Sequence, residues 1–597
     1  MGAKTVKPYQ YLKDLFDDNE IQKITVPSYQ RAYSWEEKQL DQFIGDLVEM
    51  TSKDKKGYYF GHFIFENNNG SYDIIDGQQR ITTFILFLIA CGRKTNSNKF
   101  KNFIDKFSTV DYDDRLFSLI KNNETFENEE AQKTLSISKI EFALGYFEKQ
   151  FDAKKLKLDS IEKYIDILLE SRISTHITED KAVAVQIFEL HNSRGVKLNT
   201  IEKVKAKLMK ALYLNAEKEN VDSMIIDVQK SFGEIYHFEE KTSSTSFRGN
   251  LSLEEILLIH LRMIDDGTKI QNPEREQVYN SPSKTGNRDE NILNYIDEKI
   301  KTIEKKNIVN YIVNLVRKFE ESVKFITEEL VDLDLSNPII GDTIILDRNY
   351  SLSFFMLIKH IDSIHLLNND LVLAWEKLLF TRNFHGNYYR LKWTDNFEYL
   401  FFRVVKQIEN GSILEIVNDY KDHGFRSDYL ENQDLQEVVK KYIEEHKEII
   451  KNSAFHWHKE KMVYLLYKYE IHLLQEARKY LREIMKNGVS VEHILPQEWQ
   501  WYWTIYEDNQ ASNEAKLFLD KIEKIKNGIG NLLIITPSQN SSLSNNSPND
   551  KKYDPALGLS YQKHNDSNMW DDCNNWESNI LTRGAEIYSF LVEFVNK

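Results

Sequence analysis

Cysteine is almost absent from this chain. The only two in 597 residues, Cys91 and Cys573, have no partner at ligand spacing. That excludes a disulfide-built scaffold and a thiolate metal centre, and it fits a reduced, cytoplasmic setting. Positive charge is also in short supply. The formal net charge is -15, which argues against a surface coated for nonspecific DNA binding but leaves room for a local basic channel. No apolar run is long enough for a bilayer. The longest, Ile81 to Gly92, falls short of the ~20 residues a spanning helix needs. The opening residues, MGAKTVKPYQYLKDLF, are charged and lack the apolar core of a signal peptide. No repeat of fixed period is present. What remains is an ordinary folding chain, 41% hydrophobic, whose length predicts roughly three or four domains.

The pattern changes along the chain. Residues 1–95 read as mixed α/β. ITVPSYQ (24–30) is a short strand entering a proline turn, and Leu40, Phe43, Ile44 and Leu47 fall at helical spacing. YYFGHFIFE, NNNG and SYDIID (58–76) read as strand, turn and strand, with Asn-Gly as the hairpin signal. ITTFILFLIA (81–90) continues as a buried helix, and 93–102 is a polar connector. Residues 96–215 read as a helical extension and 216–450 as a helical middle region, with polar breaks at 239–250 and 272–291. In 451–597, VSVEHILP (489–496) and GNLLIIT (530–536) are short strands among polar loops, and a closing helix begins near Trp576. The expected fold class is mixed and predominantly helical, with an N-terminal α/β domain and a C-terminal strand–strand–helix domain.

One stretch raises a chemical question. In YDIIDGQQRITTF (72–84), Gln78, Gln79 and Arg80 stand where a strand hands over to a helix. Gly77 permits a tight turn and close approach of a ligand. The amides that follow lie at a helix N-terminus, which favours an anion. Arg80 can fork onto phosphate oxygens, and Asp76 can orient Arg80 or hold a metal. The same string also fits a surface turn capped by its own side chains. A second stretch, VPSYQRAYSW (26–35), repeats the theme with Tyr29, Gln30, Arg31, Tyr33 and Trp35. Two Gln-Arg pairs beside strand-like sequence predict two walls of one polar pocket.

The C-terminal part holds another constellation. Alone, His493 in VEHILPQEW is one histidine on an apolar strand, most simply a core residue. Yet Glu492 precedes it, Asn531 opens the next strand, and Asn540 follows Pro537 in an expected helix. That order is the pattern of HNH (ββα-metal) nucleases. Phosphodiester hydrolysis needs a base for water, a task suited to His493. It also needs a hard cation, for which Glu492 and Asn540 offer oxygen ligands. Asn531 would fix the loop that orients His493.

Both ends resemble one family. VPSYQRAYSWEEKQLDQFIGDL, YYFGHFIF, YDIIDGQQRITT and FELHNSRGVKLNTIEKVKAKLM (188–209) are similar to the N-terminal, ParB-like domain of GmrSD-type modification-dependent restriction endonucleases. The last of these matches an Asn-x-Arg-Gly loop at Asn192, Arg194, Gly195 and Leu198, with Glu202 where the family usually has Asp. VEHILP, GNLLIITPSQNSSLSN and Lys551 or Lys552 resemble the family's HNH-like nuclease domain, flanked by MVYLLYKYE and WESNILTR. Asn545 falls in the same pattern. The chain is also similar to SspE, which senses phosphorothioate DNA. The resemblance implies NTP binding and hydrolysis through Gln30, Arg31, Asp76, Gly77, Gln78, Gln79 and Arg80. It further implies cleavage of double-stranded, modified phage DNA with Mg²⁺ or another divalent cation. Glucosylated hydroxymethylcytosine and phosphorothioate are the family's precedents, and no residue here selects between them.

The middle region says little about chemistry. RNFHGNYYRLKW (382–393) mixes basic and aromatic residues, as a DNA channel or an anchored surface loop would. His456 and His458 stand two apart, so a helix would point them to different sides. The expectation is a cytoplasmic, nucleotide-regulated DNA endonuclease of phage defence. The alternative is a nucleotide-binding DNA sensor or NTPase with a weak nuclease. A homo-oligomer is compatible with either.

Overall fold

The computed structural model describes residues 9–53, 58–68, 70–124, 134–178, 199–216, 221–242, 251–263, 288–362, 364–381, 417, 435–454, 459–499, 513–543 and 575–596. These fall into two compact units. One takes in 1–244, 251–258 and 281–327, and the other takes in the remainder. The chain is mostly helical with an α/β sheet near its N-terminus, as expected. No helix among the described residues is long and apolar enough to cross a membrane.

The sheet of the first unit has five strands: β1 (Lys23–Thr25), β2 (Tyr59–Asn68), β3 (Ser71–Asp76), β4 (Phe107–Ser108) and β5 (Arg172–Thr178), in the order β4-β1-β3-β2-β5. β2 and β3 form the expected antiparallel hairpin, Asn68 opposite Ser71, with Gly70 at φ 93 in the turn. All other pairings are parallel. Side chains alternate across a strand. Phe63 and Phe65 of β2, with Tyr72 and Ile74 of β3, enter the core, while Ile64 and Ile75 pack with Tyr29 on the opposite face.

Helices α1 (Leu12–Asp17), α2 (Glu37–Lys53), α3 (Gln78–Thr95), α4 (Leu135–Asp152) and α5 (Ile161–Leu169) cover the core face. Every residue of α3 from Ile81 to Cys91 is buried. A helix apolar all round belongs in the centre of a unit. Burial pushes the Cys91 thiol up, so it is a packed hydrophobe and not a nucleophile. Three more helices, α6 (Thr200–Asn215), α7 (Val221–Thr242) and α8 (Lys305–Lys324), pack on one another in the same unit.

β4 and β5 lie in 96–215, a stretch whose pattern reads as helical. β4 has only two residues. β5, RISTHIT, pairs in parallel with a strand more than a hundred positions earlier, His62 beside Ser174. β4 is too short for a local signature, whereas the alternating β-branched Ile173, Thr175 and Ile177 of β5 are a strand signal that the helical reading passed over.

The second unit continues from α8 through a π-helical turn, Phe325–Glu329, into α9 (Leu330–Ser336). It contains α10 (Ile339–Leu346), α11 (Asn369–Thr381), α12 (Lys459–Leu473) and α13 (Arg478–Asn487), followed by β6 (Ser490–His493). Next come α14 (Asn513–Ile525), β7 (Leu532–Ile535), α15 (Pro537–Leu543) and the closing α16 (Trp576–Asn596). β6 and β7 pair antiparallel, Ser490 with Ile535 and His493 with Leu532. Leu532 and Ile534 feed an apolar cluster with α12, α13 and α16, while Leu533 and Ile535 feed another with Trp499, Ile522 and Leu543. The pair therefore lies between two small cores.

Candidate functional site

At the strand-to-helix junction of the first unit, Asp76 ends β3, Gly77 turns the chain at φ 96, and Gln78 opens α3. Only glycine fits there, because a Cβ would collide with the Phe63 ring. Asp76 Oδ1 accepts the Gly77 N–H at 2.8 Å. The Gln78 and Gln79 amides lie in the first turn of α3, where no carbonyl of the same helix reaches them.

The 26–35 segment is tied to this junction. Gln30 Nε2 donates to Ile75 O, Gln78 Nε2 to Arg31 O and Gln79 Nε2 to Ala32 O, each at 3.0 Å. Gln79 Oε1 accepts the Ser34 N–H at 2.9 Å, and Tyr33 Oη lies 2.9 Å from Thr83 Oγ1. The two Gln-Arg stretches are thus brought together. All three glutamines direct an amide N–H to main-chain carbonyls of the facing segment, so they lock the walls to each other.

The arginines face other partners. Arg80 Nη2 donates to His62 O at 2.7 Å, and its guanidinium lies 5.2 Å from the Phe63 ring centre. Gly61, at φ 134, makes room for it; a Cβ there would come within 2.9 Å of Arg80 Cζ. Arg31 Nε is 3.8 Å from Glu202 Oε1. Glu202 also caps α6, accepting the Asn199 N–H at 2.9 Å while Asn199 Oδ1 accepts its own. One turn further, Lys205 Nζ donates to Tyr29 O at 2.6 Å and lies 4.6 Å from the Tyr29 ring, with Phe232 and Tyr236 within 6.0 Å. Burial pushes Lys205 down to about 7, against the pull of Glu202. Burial, and then the charges of Glu254 and Glu240, push Glu239 up to about 8.

Tyr29 Oη, Arg31 Nε, Gln78 Oε1 and Arg80 Nε are shielded from solvent and have no hydrogen-bond partner among the described residues. Buried polar atoms normally find partners, and leaving them without costs about 1–3 kcal/mol each. Here all four flank one junction.

In the second unit, residues opposite each other in the β6–β7 pair share a face. His493 and Val491 lie on the side of Leu532 and Ile534. Glu492 and Ser490 lie on the side of Leu533 and Ile535. Asn540 on α15 donates through Nδ2 to Ser490 Oγ at 2.6 Å, which puts it on the Glu492 side. Glu492 and His493 are both buried. His493 Nε2 is 3.0 Å from Asn527 Oδ1.

Asn531 is fully buried. Its Oδ1 accepts the Leu495 N–H at 2.7 Å, and its Nδ2 donates to Leu495 O at 2.9 Å and Lys526 O at 2.7 Å. It therefore staples the chain after His493 to the chain before β7. Arg583 of α16 holds the same loop by donating to Gly530 O and Leu532 O, both at 2.9 Å. A Cβ on Gly530 would strike Ile580 O of that helix.

Among the described residues no group of three or more His, Cys, Asp or Glu could hold a metal. The oxygen donors on the Ser490 face are the Glu492 carboxylate and the Asn540 amide. Mg²⁺ needs little more, because it keeps several waters and takes one or two protein oxygens plus substrate phosphate.

A family model described as GmrSD restriction endonuclease, N-terminal domain, matches residues 12–209, and one for the C-terminal domain of GmrSD restriction endonucleases matches 438–582. Together they span more than half of the chain. The chain belongs to the GmrSD restriction endonuclease family. It is accordingly a DNA endonuclease by family. No curated protein matches it significantly.

The N-terminal GmrSD match takes in both Gln-Arg stretches and Lys205, and the C-terminal match takes in β6, Asn527, Asn531 and Asn540. Of the sequence-derived candidates, Asn192, Arg194, Gly195, Leu198, Asn545, Lys551 and Lys552 lie outside the described residues. So do Cys573, the 382–393 stretch, His456 and His458. Sequence reasoning did not find Lys205, Ser490, Asn527 or Arg583. Each acts through a contact distant in sequence, 34 positions in the case of Asn527 and His493, and no spacing rule reaches that far.

Proposed function

We propose that this GmrSD protein is a cytoplasmic, nucleotide-regulated endonuclease that cuts modified double-stranded phage DNA with a divalent cation, Mg²⁺ by preference. In this reading the first unit carries a ParB-like NTP pocket that also hydrolyses the nucleotide, and β6, β7 and α15 form an HNH-like centre. The observation that supports the nuclease half is His493 at the end of a strand whose opposite face carries Glu492 and Asn540, with Asn531 stapling the loop behind it. His493 accepts the proton of the attacking water. Glu492 and Asn540 would hold the cation, which when bound supplies positive charge to the scissile phosphate and the leaving oxygen. In the pocket, Arg31, Arg80 and the first amides of α3 would take the phosphates, while Gln30, Gln78 and Gln79 keep the walls in register and Asp76 and Gly77 shape the turn.

The placement of Glu492 and Asn540 on the face opposite His493 favours one other reading, a nucleotide-binding DNA sensor or NTPase with a weak or degenerate nuclease domain. One experiment separates the two. Wild type and His493→Ala are incubated with Mg²⁺ and plasmid or phage DNA, with and without nucleotide. Loss of the base lowers cleavage by about 10²–10⁴, with circular dichroism and nucleotide binding unchanged. Equal nicking by both proteins removes His493 from the mechanism and leaves the sensor reading.

A further inference from the structure

We propose that Lys205 is a positioning residue of the nucleotide pocket, holding the Tyr29 carbonyl and thereby setting where Arg31 is presented to phosphate, an inference that rests on the nucleotide reading. Glu202 and Lys205 stand three apart on α6, so they project to one side of that helix. Both reach the 26–35 segment. Glu202 Oε1 lies 3.8 Å from Arg31 Nε, and Lys205 Nζ donates to Tyr29 O at 2.6 Å. The Gln30 N–H donates to Pro27 O at 2.9 Å, which closes a turn over Pro27–Gln30. Lys205 therefore grips the corner from which the chain leaves toward Arg31. The same turn is seated on α7, where a Cβ on Gly233 would come within 3.1 Å of Ser28 Oγ.

Packing alone would not select a lysine at this place. The residue is buried, and its amine lies 4.6 Å from the centre of the Tyr29 ring, 5.9 Å from that of Phe232 and 6.0 Å from that of Tyr236. Three ring faces favour a cation. Taking a cation out of water is nonetheless costly, and an apolar side chain of similar volume often serves stability as well or better. The downward push of burial on Lys205 reflects that cost. An amine has an N–H to donate whether or not it is charged, so its contact with Tyr29 O holds in either state. What lysine adds over methionine in this cage is that donor, and the carbonyl it serves stands two residues before Arg31.

The test uses the full-length protein. Lys205→Met fills the ring cage without a donor, Lys205→Arg keeps donor and charge, and Lys205→Met is also combined with Arg31→Ala. Calorimetric titration with ATP, GTP, CTP and UTP gives Kd, and thermal melts followed by circular dichroism give stability. The expected result for Lys205→Met is a Tm at or above that of wild type, with a Kd raised roughly 10-fold for the nucleotide that wild type binds, the weight of one charge-assisted hydrogen bond. Lys205→Arg recovers the wild-type Kd within a few fold. With Arg31→Ala already in place, Lys205→Met raises Kd no further, because the lysine acts through that arginine. A wild-type Kd in Lys205→Met, the same loss with and without Arg31, or no recovery in Lys205→Arg overturns the inference and spares the nucleotide reading. So does a Lys205→Met protein that melts early or does not fold, which would make the lysine a residue of the fold alone. Failure of wild type to bind any of the four nucleotides overturns the nucleotide reading itself, and the inference with it.

Discussion

Gln79 and Arg80 are adjacent in sequence and differ in what they hold. Gln79 bridges Ala32 O and the Ser34 N–H, so it joins the two walls of the pocket. Arg80 is fixed through one nitrogen to His62 O and lies over Phe63, and in the proposed reading the rest of its guanidinium takes a phosphate. The two residues should fail differently. Gln79→Ala removes two partly buried hydrogen bonds and should cost roughly 1–3 kcal/mol of stability, seen as a lower Tm of the first unit, with nucleotide affinity falling as the walls separate. Arg80→Ala should weaken nucleotide binding by roughly 1.5–3 kcal/mol through loss of a charge-assisted contact. Calorimetric titration and thermal melts of both variants check this. A Gln79→Ala protein that melts like wild type would make the glutamine a ligand contact, and unchanged affinity in Arg80→Ala would leave the arginine to the fold alone.

At the scale of elements, a buried ion network ties five helices of the second unit together. Asp342 on α10 meets Lys468 on α12 at 3.0 Å and Arg478 and Arg482 on α13 at 2.8 and 3.1 Å, and accepts from Tyr467 at 2.7 Å. Arg482 also pairs with Asp334 on α9 at 2.6 Å, and Lys468 with Glu376 on α11 at 2.8 Å. Burial would push the Asp342 carboxyl up, but Lys468, Arg478 and Arg482 outweigh it and hold it below the usual range. Gly341 is required beside it, since a Cβ there would lie 2.6 Å from Arg482 Nη2 and Asp334 Oδ1. Asp342→Ala leaves buried cations uncompensated and should destabilise this unit by about 3–5 kcal/mol. Cleavage should fall because α13 leads straight into β6. Thermal melts and cleavage assays check it, and a Tm within a degree of wild type would show that the network bears no weight. None of this was legible in the sequence, since its partners lie up to 148 positions apart. The hairpin at Asn-Gly, the buried α3 and the short strands around His493 were legible, because each has a local cause in turn chemistry or apolar runs. So was the meeting of the two Gln-Arg stretches, but not what their glutamines do. A side chain's donors are visible in a sequence, whereas the carbonyls that take them up are not.

On the scale of the whole molecule, the Gln-Arg junction and the β6–β7 pair belong to different units, each with its own core. The chain crosses between the units more than once, and the last crossing, after residue 327, runs along helical turns. α8, which packs on α6 and its Glu202 and Lys205, runs through the π-turn Phe325–Glu329 into α9, and the boundary falls inside that turn. Isolated π-turns in helices are uncommon and often mark functional places. α9 carries Asp334, which grips Arg482 on the helix leading to His493. A shift of α8 is therefore linked through α9 and the Asp334–Arg482 ion pair to the helix that leads into β6. A nuclease restrained in this way spares host DNA until a ligand favours the active state, and a ligand can do so only by binding that state more tightly. If the coupling exists, the nucleotide or the modified DNA must change cleavage, and DNA must change nucleotide affinity by the same factor. A coupling free energy of about 1–3 kcal/mol corresponds to roughly 5–150-fold. The measurement is cleavage of modified and unmodified DNA across a range of nucleotide concentrations, in wild type and in Arg31→Ala, which breaks the link to Glu202. Wild type should respond to nucleotide within that range, and Arg31→Ala should lose most of the response while keeping its basal rate. Equal cutting of both DNAs, indifferent to nucleotide and to Arg31, would reduce the protein to an ungated nuclease.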